Sequence, residues 1–357
     1  MIQTFLHGTQ PKFANSQAWI SRLCCVQPML TKDTPMRAMI YRHYGPAENV
    51  QPAERPKPSP RRGEVLVKLT TSSVTTADWR LRASAFPGGL WLLGRLMFGL
   101  FRPRQQVLGG EFAGRVEACG EGVSDFAPGD RVFGFAGHGA HAEYLTIKAK
   151  SCIVKTPETL SDEEAAALPF GGLAALVFLR DIAKVQPGEE VLIPGASGGV
   201  GLYAVQIAKA LGTKVTAVGS TGSLAQLRQL GADRVIDYTQ QNLSAAGRDY
   251  DVILDPAGFL PFPKGRSLLK PDGRFVALNF GCAEFGQMIA NKFRQGPRLI
   301  IGVNEDKQED LRALLRMVRD GQVRPVIGHR FDLADIQSAY RLVESRRRNG
   351  AVLLRIA

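Results

Sequence analysis

The residues best placed to do chemistry lie in one stretch, Glu189–Gly212, EEVLIPGASGGVGLYAVQIAKALG. Val191-Leu192-Ile193 is an apolar run of strand length. Gly195-Ala196-Ser197-Gly198-Gly199 turns the chain. From Val200 onward Ala204, Ile207, Ala208 and Leu211 recur at helical spacing. A strand that enters a helix through glycines leaves the first helical N–H groups unpaired. The helix dipole adds a partial positive charge there, and together they hold a pyrophosphate. Gly198 lets the backbone approach the phosphates, and Gly201 lets the helix close on the strand. Ala196 takes the place of the first fingerprint glycine, so the pattern is A-x-G-x-x-G. Ala196, Ser197, Gly198, Gly199, Val200 and Gly201 are therefore the expected dinucleotide contacts.

The surrounding elements have the order such a site requires. Lys214–Gly219 is the next strand, Leu224–Leu230 a helix and Arg234–Tyr238 a third strand, giving β-α-β-α-β. A fourth strand over Tyr250–Gly258 ends at a glycine turn. A fifth, Gly273–Gly281, carries Asn279 near its end, and Arg298–Val303 is a sixth. Gly258 and Asn279 join the expected cofactor contacts. Upstream, Val107–Pro157 reads as short alternating strands broken by Gly-Asp and Pro-Gly turns, which points to a compact barrel. In LSDEEAAALP, Ser161 and Glu164 are spaced as a capping box.

The chain has 357 residues, enough for two domains with full cores. Apolar residues make up 45% and charged residues 22%, an ordinary globular balance with no run of eighteen apolar residues. The five cysteines form no C-x-x-C pair, and a reducing, cytoplasmic setting is the simplest reading. The net charge of +12 fits a phosphorylated cofactor, an anionic lipid, nucleic acid or a merely basic surface. No aromatic-basic motif calls for nucleic acid. Residues 1–35 show no period and read as a disordered leader, as an upstream start to a gene whose functional start is Met36, or as a transit peptide. The stretch 86–104, FPGGLWLLGRLMFGLFRPR, is apolar on most faces, too short to span a bilayer and interrupted by Arg95. It fits a core helix, a cover over a pocket or a peripheral membrane contact.

In chain order, SVTTADWRLR, LGGEFAGRVEACGEGV, PGDRVFG, GASGGVGLYAVQIAKALG, GADRVIDY, YDVILDPAG and GAVLLRI make the sequence resemble the medium-chain dehydrogenase/reductase superfamily. The likeness is to its zinc-free, quinone oxidoreductase-like branch, and it runs from Met36 to the C-terminus. It implies an α/β protein with a GroES-like β-barrel catalytic domain (36–156 and 298–357) and a Rossmann doubly wound parallel-sheet domain (157–297), with the active site between them. It also implies a homodimer joined through the edge strand at Arg298–Val303. The zinc branch places its metal ligands at positions that fall on Thr75, Gly110 and Phe170 here, and none of these binds zinc. Glu111, beside one such position, is retained. Without a Lewis acid, the resemblance implies reduction of an already activated acceptor, a quinone or α,β-unsaturated carbonyl, by hydride from NADPH. Thr75 is the expected hydrogen-bond donor to the acceptor, with Asp78 and Trp79 lining or supporting the pocket.

The second strand ends at Ser220, in AVGSTGS, where NAD-selective domains carry a carboxylate. Ser220, Thr221 and Ser223 offer hydroxyls there instead, and the resemblance sets Tyr238 beside the same 2′-phosphate. The expectation is a preference for NADPH. Two other classes compete. Gly195-Ala196-Ser197-Gly198-Gly199 also satisfies G-x-S-x-G, and Asp255 and His329 follow in order for a serine hydrolase using Ser197. A hydrolase elbow, however, does not require Gly201 or a barrel upstream. The other class is a crystallin-like or RNA-associated relative that binds NADPH without turnover.

Overall fold

The computed structural model describes residues 34–243, 247, 249–292 and 294–356. The expected leader falls almost wholly outside them. The described residues open with a hairpin, β1 (Pro35–Tyr41) and β2 (Val50–Pro56), paired antiparallel from Pro35↔Pro56 to Tyr41↔Val50. The second strand hides in a proline-rich sequence; it has a single paired side, so the missing N–H groups of Pro52 and Pro56 cost little.

A seven-stranded sheet follows. It uses β3 (Glu64–Ser73), β4 (Glu111–Cys119), β5 (Arg131–Phe135), β6 (Tyr144–Lys148) and β7 (Ile153–Lys155). Between β3 and β4 the chain makes α1 (Thr76–Ala83) and α2 (Trp91–Phe98). Helices α3 (Asp162–Ala166) and α4 (Pro169–Val177) lead away from the barrel, and α3 opens with the predicted Ser161–Glu164 capping box.

The second layer system is a six-stranded parallel sheet. Its strands are β8 (Glu190–Ile193), β9 (Lys214–Gly219), β10 (Arg234–Asp237), β11 (Tyr250–Asp255), β12 (Leu269–Ala277) and β13 (Arg298–Ile301). Their order is β10-β9-β8-β11-β12-β13, the 3-2-1-4-5-6 arrangement of a dinucleotide-binding sheet. Helices α5 (Gly201–Ala210), α6 (Leu224–Gln229), α7 (Phe262–Arg266) and α8 (Cys282–Asn291) connect the strands. The sequence division at 298 therefore cuts off β13, which pairs with β12 from Arg274↔Arg298 to Ala277↔Ile301 and belongs to the parallel sheet.

After α9 (Gln308–Arg319) the chain returns to the barrel. β14 (Ile327–Asp332), α10 (Ile336–Glu344) and β15 (Ala351–Arg355) close it, with β15 antiparallel to β3 at Leu353↔Ser73. The barrel core gathers β3, β4, β5 and α10 around Phe112, Val132 and Tyr340. The parallel sheet is covered on one side around Leu192, Ile253 and Phe275, and on the other by α4 and α5. The two halves also touch backbone to backbone. Gly88, ahead of α2, takes φ +47°, and a Cβ there would lie 2.8 Å from the Gly281 Cα; its carbonyl accepts the Cys282 N–H at 2.7 Å.

Candidate active site

The glycine turn sits at the C-terminal edge of β8, where sheet order reverses and ligands bind in such folds. Gly195 takes φ +66°, which a side chain would resist. A Cβ on Gly201 would lie 2.6 Å from the Gly195 carbonyl oxygen and 2.7 Å from the Ala196 Cα. Gly201 is thus the close helix–strand contact the sequence predicts. The Ala196 N–H donates to the Val218 carbonyl and the Gly198 N–H to that of Gly195. Ala196 is fully buried, so it holds the turn from within. Among the described residues, the N–H groups of Ser197, Gly199 and Val200 have no partner.

Two loops close around this turn. Gly258 takes φ +71°, and a Cβ there would strike the Asn279 amide at 2.3 Å. Asn279 donates Nδ2–H to the Ala257 carbonyl at 3.1 Å, while its Oδ1 is buried without a partner. Asp255, at the end of β11, accepts the N–H groups of Ala257, Gly258 and Phe259 through Oδ1 and that of Leu260 through Oδ2. That carboxylate shapes the loop. It bonds no histidine and neither does Ser197 among the described residues, and His329 lies on the barrel strand β14. The hydrolase triad suggested by residue order is therefore not assembled.

The end of β9 departs in detail from expectation. The Thr221 hydroxyl donates to Asp237 at 2.5 Å, and the buried Ser223 hydroxyl donates to the Ser220 carbonyl at 2.8 Å. Neither is free for a phosphate, which leaves Ser220 and Tyr238. The Tyr238 ring is about half exposed and lies 5.1 Å from the Phe259 ring. The sequence reading also missed a carboxylate: Asp237 comes within a hydrogen bond of Thr221. Bonds from Thr221 and Thr239 hold its pKa below the usual carboxylate value.

The barrel wall faces the same cleft. Thr75 caps α1: its Oγ1 accepts the Asp78 N–H at 3.2 Å and donates to Asp78 Oδ2 at 2.6 Å. The hydroxyl expected to serve the acceptor is spent on the cap, because Thr75 and Asp78 stand at capping-box spacing. Asp78 also accepts the Thr75 and Gly109 N–H groups at 2.8 and 2.9 Å, so it ties α1 to the approach to β4. Trp79 packs against the barrel core with Nε1 buried and unpaired, and the Arg346 guanidinium stands 5.6 Å from its ring.

Glu111 lies between the metal-equivalent positions. It is buried, accepts the Phe170 N–H at 2.6 Å and pairs with the Ser73 hydroxyl. Burial pushes its pKa up to about 7, against the pull of Ser73 and the Phe170 N–H. Gly110 packs against the Phe135 ring, which lies 6.3 Å from that of Phe170. Among the described residues no group of three or more His, Cys, Asp and Glu side chains is arranged to hold a metal. His141 is buried with Nε2 2.9 Å from the Ser73 carbonyl, and burial lowers its pKa.

Sequence reasoning missed Arg348. It comes from the loop before β15 and is half-buried. It donates to the Val74 carbonyl at 3.1 Å and to the Thr76 hydroxyl at 2.7 Å. A Cβ on Gly199 would lie 3.3 Å from its Nη2. One guanidinium thus bridges the barrel wall to the glycine turn. Burial works against its charge, and the Glu111 and Asp78 carboxylates favour it.

A glycine turn at the switch point of a 3-2-1-4-5-6 sheet, clasped by a barrel from both chain ends, defines a two-domain nicotinamide-dependent oxidoreductase. Comparison with known proteins agrees. Residues 61–158 match the alcohol dehydrogenase GroES-like domain and residues 230–354 the zinc-binding dehydrogenase domain. The latter match spans none of Thr75, Gly110 and Phe170. The chain is 32% identical over 325 residues to the chloroplastic quinone-oxidoreductase QR1 of Triphysaria versicolor, covering 85% of this chain and 94% of that one. It superposes on the quinone oxidoreductase from Coxiella burnetii with TM-score 0.80 and 28% identity, over 91% of this chain and all of the other. The mycobacterial Rv1454c, solved with NADPH, matches with TM-score 0.72 and 25% identity, over 90% of this chain and all of the other. The chain belongs to the medium-chain dehydrogenase/reductase superfamily, in its quinone oxidoreductase-like branch.

Proposed function

We propose that this protein is a zinc-independent reductase that uses NADPH to reduce a quinone or an α,β-unsaturated carbonyl. The carrying observation is the pairing of an unsatisfied anion cradle with a metal-equivalent position that has no ligand set. The cradle is the free N–H groups of Ser197, Gly199 and Val200 with Arg348 against Gly199. These donors suit a pyrophosphate. The orphaned Asn279 Oδ1 suits the amide N–H of a nicotinamide, since a buried acceptor without a partner costs free energy until one arrives.

Bound NADPH supplies a hydride; the chain's own residues bind, orient and exclude water. Phe135 and Phe170 fill the space where metal ligands would stand, and an apolar wall there keeps water from the transfer path. With Thr75 committed to Asp78, this wall offers the acceptor shape in place of a hydroxyl donor. An acceptor that is already electron-poor suits such a site. Ser220 and Tyr238 remain to flank the 2′-phosphate, and the Asp237 carboxylate is engaged by the Thr221 and Thr239 hydroxyls.

The test is kcat/KM for NADPH and NADH with a quinone and an enone, in the wild type and Ser220→Asp. The wild type should favour NADPH by about tenfold, the scale of a few polar contacts, and Ser220→Asp should reverse the order. A wild type that prefers NADH defeats the cofactor assignment. Cofactor binding without turnover of either acceptor defeats the enzymatic reading.

A further inference from the structure

Among the described residues, the largest run of exposed apolar side chains lies on the outer face of α2. Trp91, Leu92, Leu93, Leu96, Met97 and, just beyond, Phe101 are each half exposed or more. The sequence allowed a core helix here, but its side chains point outward. The helix does not need them to hold its place. Gly94 rests on the Phe86 ring, Phe86 stacks on Phe98 at 5.7 Å, and the Tyr44 hydroxyl donates to the Gly99 carbonyl at 2.8 Å. Soluble surfaces rarely leave so contiguous an apolar patch without a partner.

Charge decides which partner. No carboxylate occurs between Asp78 and Glu111, while five arginines do. Arg82 is buried against Glu344. Arg102 and Arg104 are exposed on the loop after the helix, and no ion pair engages Arg95, Arg102 or Arg104 among the described residues. The Arg95 guanidinium lies 4.0 Å from the centre of the Tyr44 ring and 5.2 Å from that of Trp91. A two-fold contact with a second copy would set these arginines against themselves. Residues 1–33 carry Lys12, Arg22 and Lys32 against the single acid Asp33, so they do not complement the patch either. An eight-residue helix is about 12 Å long, far short of a bilayer's hydrocarbon core of about 30 Å.

We propose that α2 and the Leu100–Arg104 loop seat the protein on an anionic phospholipid surface. The apolar face enters the headgroup boundary, and Arg102 and Arg104 engage lipid phosphates. Apolar insertion and electrostatic attraction add in such contacts. The site depends on neither the cofactor nor the acceptor, so it stands or falls separately from the proposed function.

Co-sedimentation of the full chain with vesicles of phosphatidylcholine alone, and of phosphatidylcholine and phosphatidylglycerol in equal parts, tests it. The protein should bind the anionic vesicles and leave the neutral ones largely free. Leu96→Glu and the pair Arg102→Glu/Arg104→Glu should each weaken vesicle binding by about tenfold. Both should leave NADPH oxidation with a water-soluble quinone unchanged. The arginine pair lies on exposed side chains, so it keeps the test available if Leu96→Glu does not fold. Failure to bind anionic vesicles overturns the proposal. A variant that alters the sedimentation coefficient without lipid also overturns it and assigns the patch to a second copy. One that raises KM for the soluble quinone overturns it as well and assigns the patch to the acceptor pocket.

Discussion

The two walls of the cleft treat their polar groups in opposite ways. On the parallel-sheet side, Ser197, Gly199 and Val200 keep free N–H groups and Asn279 keeps a free oxygen. On the barrel side, Thr75, Asp78, Glu111 and His141 are tied to one another or to backbone, with Trp79 Nε1 the exception. The first wall is unfinished without a ligand. The second, Trp79 Nε1 apart, is satisfied within itself and presents shape. A wall with spare donors selects a charged cofactor, and a wall without them selects by fit.

If the barrel wall is a closed network, removing its hub should cost the most. Asp78→Ala strands the Thr75 hydroxyl and the Thr75 and Gly109 N–H groups. The expected loss is on the order of 4 kcal/mol in denaturant unfolding. A loss near that of a surface substitution would show the network to be slack.

Glu111 sharpens the contrast through pH. Its folded pKa, raised from 4.5 to about 7, means the native state holds the proton longer than the unfolded chain. The sign follows: this contribution is fully present below the unfolded pKa and is lost as pH rises through the folded one. Stability should drop by up to about 3 kcal/mol between about pH 5 and about pH 8, and Glu111→Gln should remove most of that slope. Denaturant titrations of both proteins across that range measure it. Equal slopes would mean that Glu111 is ionised throughout.

The smallest effect separates a cap from a catalyst. Thr75→Val should cost about 1 kcal/mol of stability, the worth of a helix cap. With its hydroxyl already donated to Asp78, kcat should stay within about threefold of wild type, whereas loss of a transition-state donor costs about a hundredfold or more. A fall of that second size would return Thr75 to the reaction.

What was legible in the sequence follows the range of the interactions. The glycine turn, α5 and the parallel strands rest on local pattern, and Gly201 meets Ala196 only five residues away. The expected α/β architecture of barrel and Rossmann sheet is the observed one. The Thr75–Asp78 cap is equally local, three residues apart, yet the resemblance sets Thr75 against the acceptor while its hydroxyl serves the helix. Thr221 was misread because its partner, Asp237, arrives from the neighbouring strand. Arg348 was invisible for the same reason. In ESRRRNG nothing local sets it apart from Arg346 and Arg347, and the pairing of β15 with β3 brings it to Val74 and Thr76. The hairpin strand β2 was obscured by prolines that an unpaired edge tolerates.

The meeting of Gly88 and Gly281 constrains how this protein can drift. Each residue occupies the space a methyl group on the other would need: a Cβ on Gly281 would lie 2.5 Å from the Gly88 Cα. No exchange of large for small across the pair relieves that crowding, because both sides are already backbone. The two codons, nearly two hundred positions apart, are therefore each held at glycine, and a change at one opens no room for a change at the other.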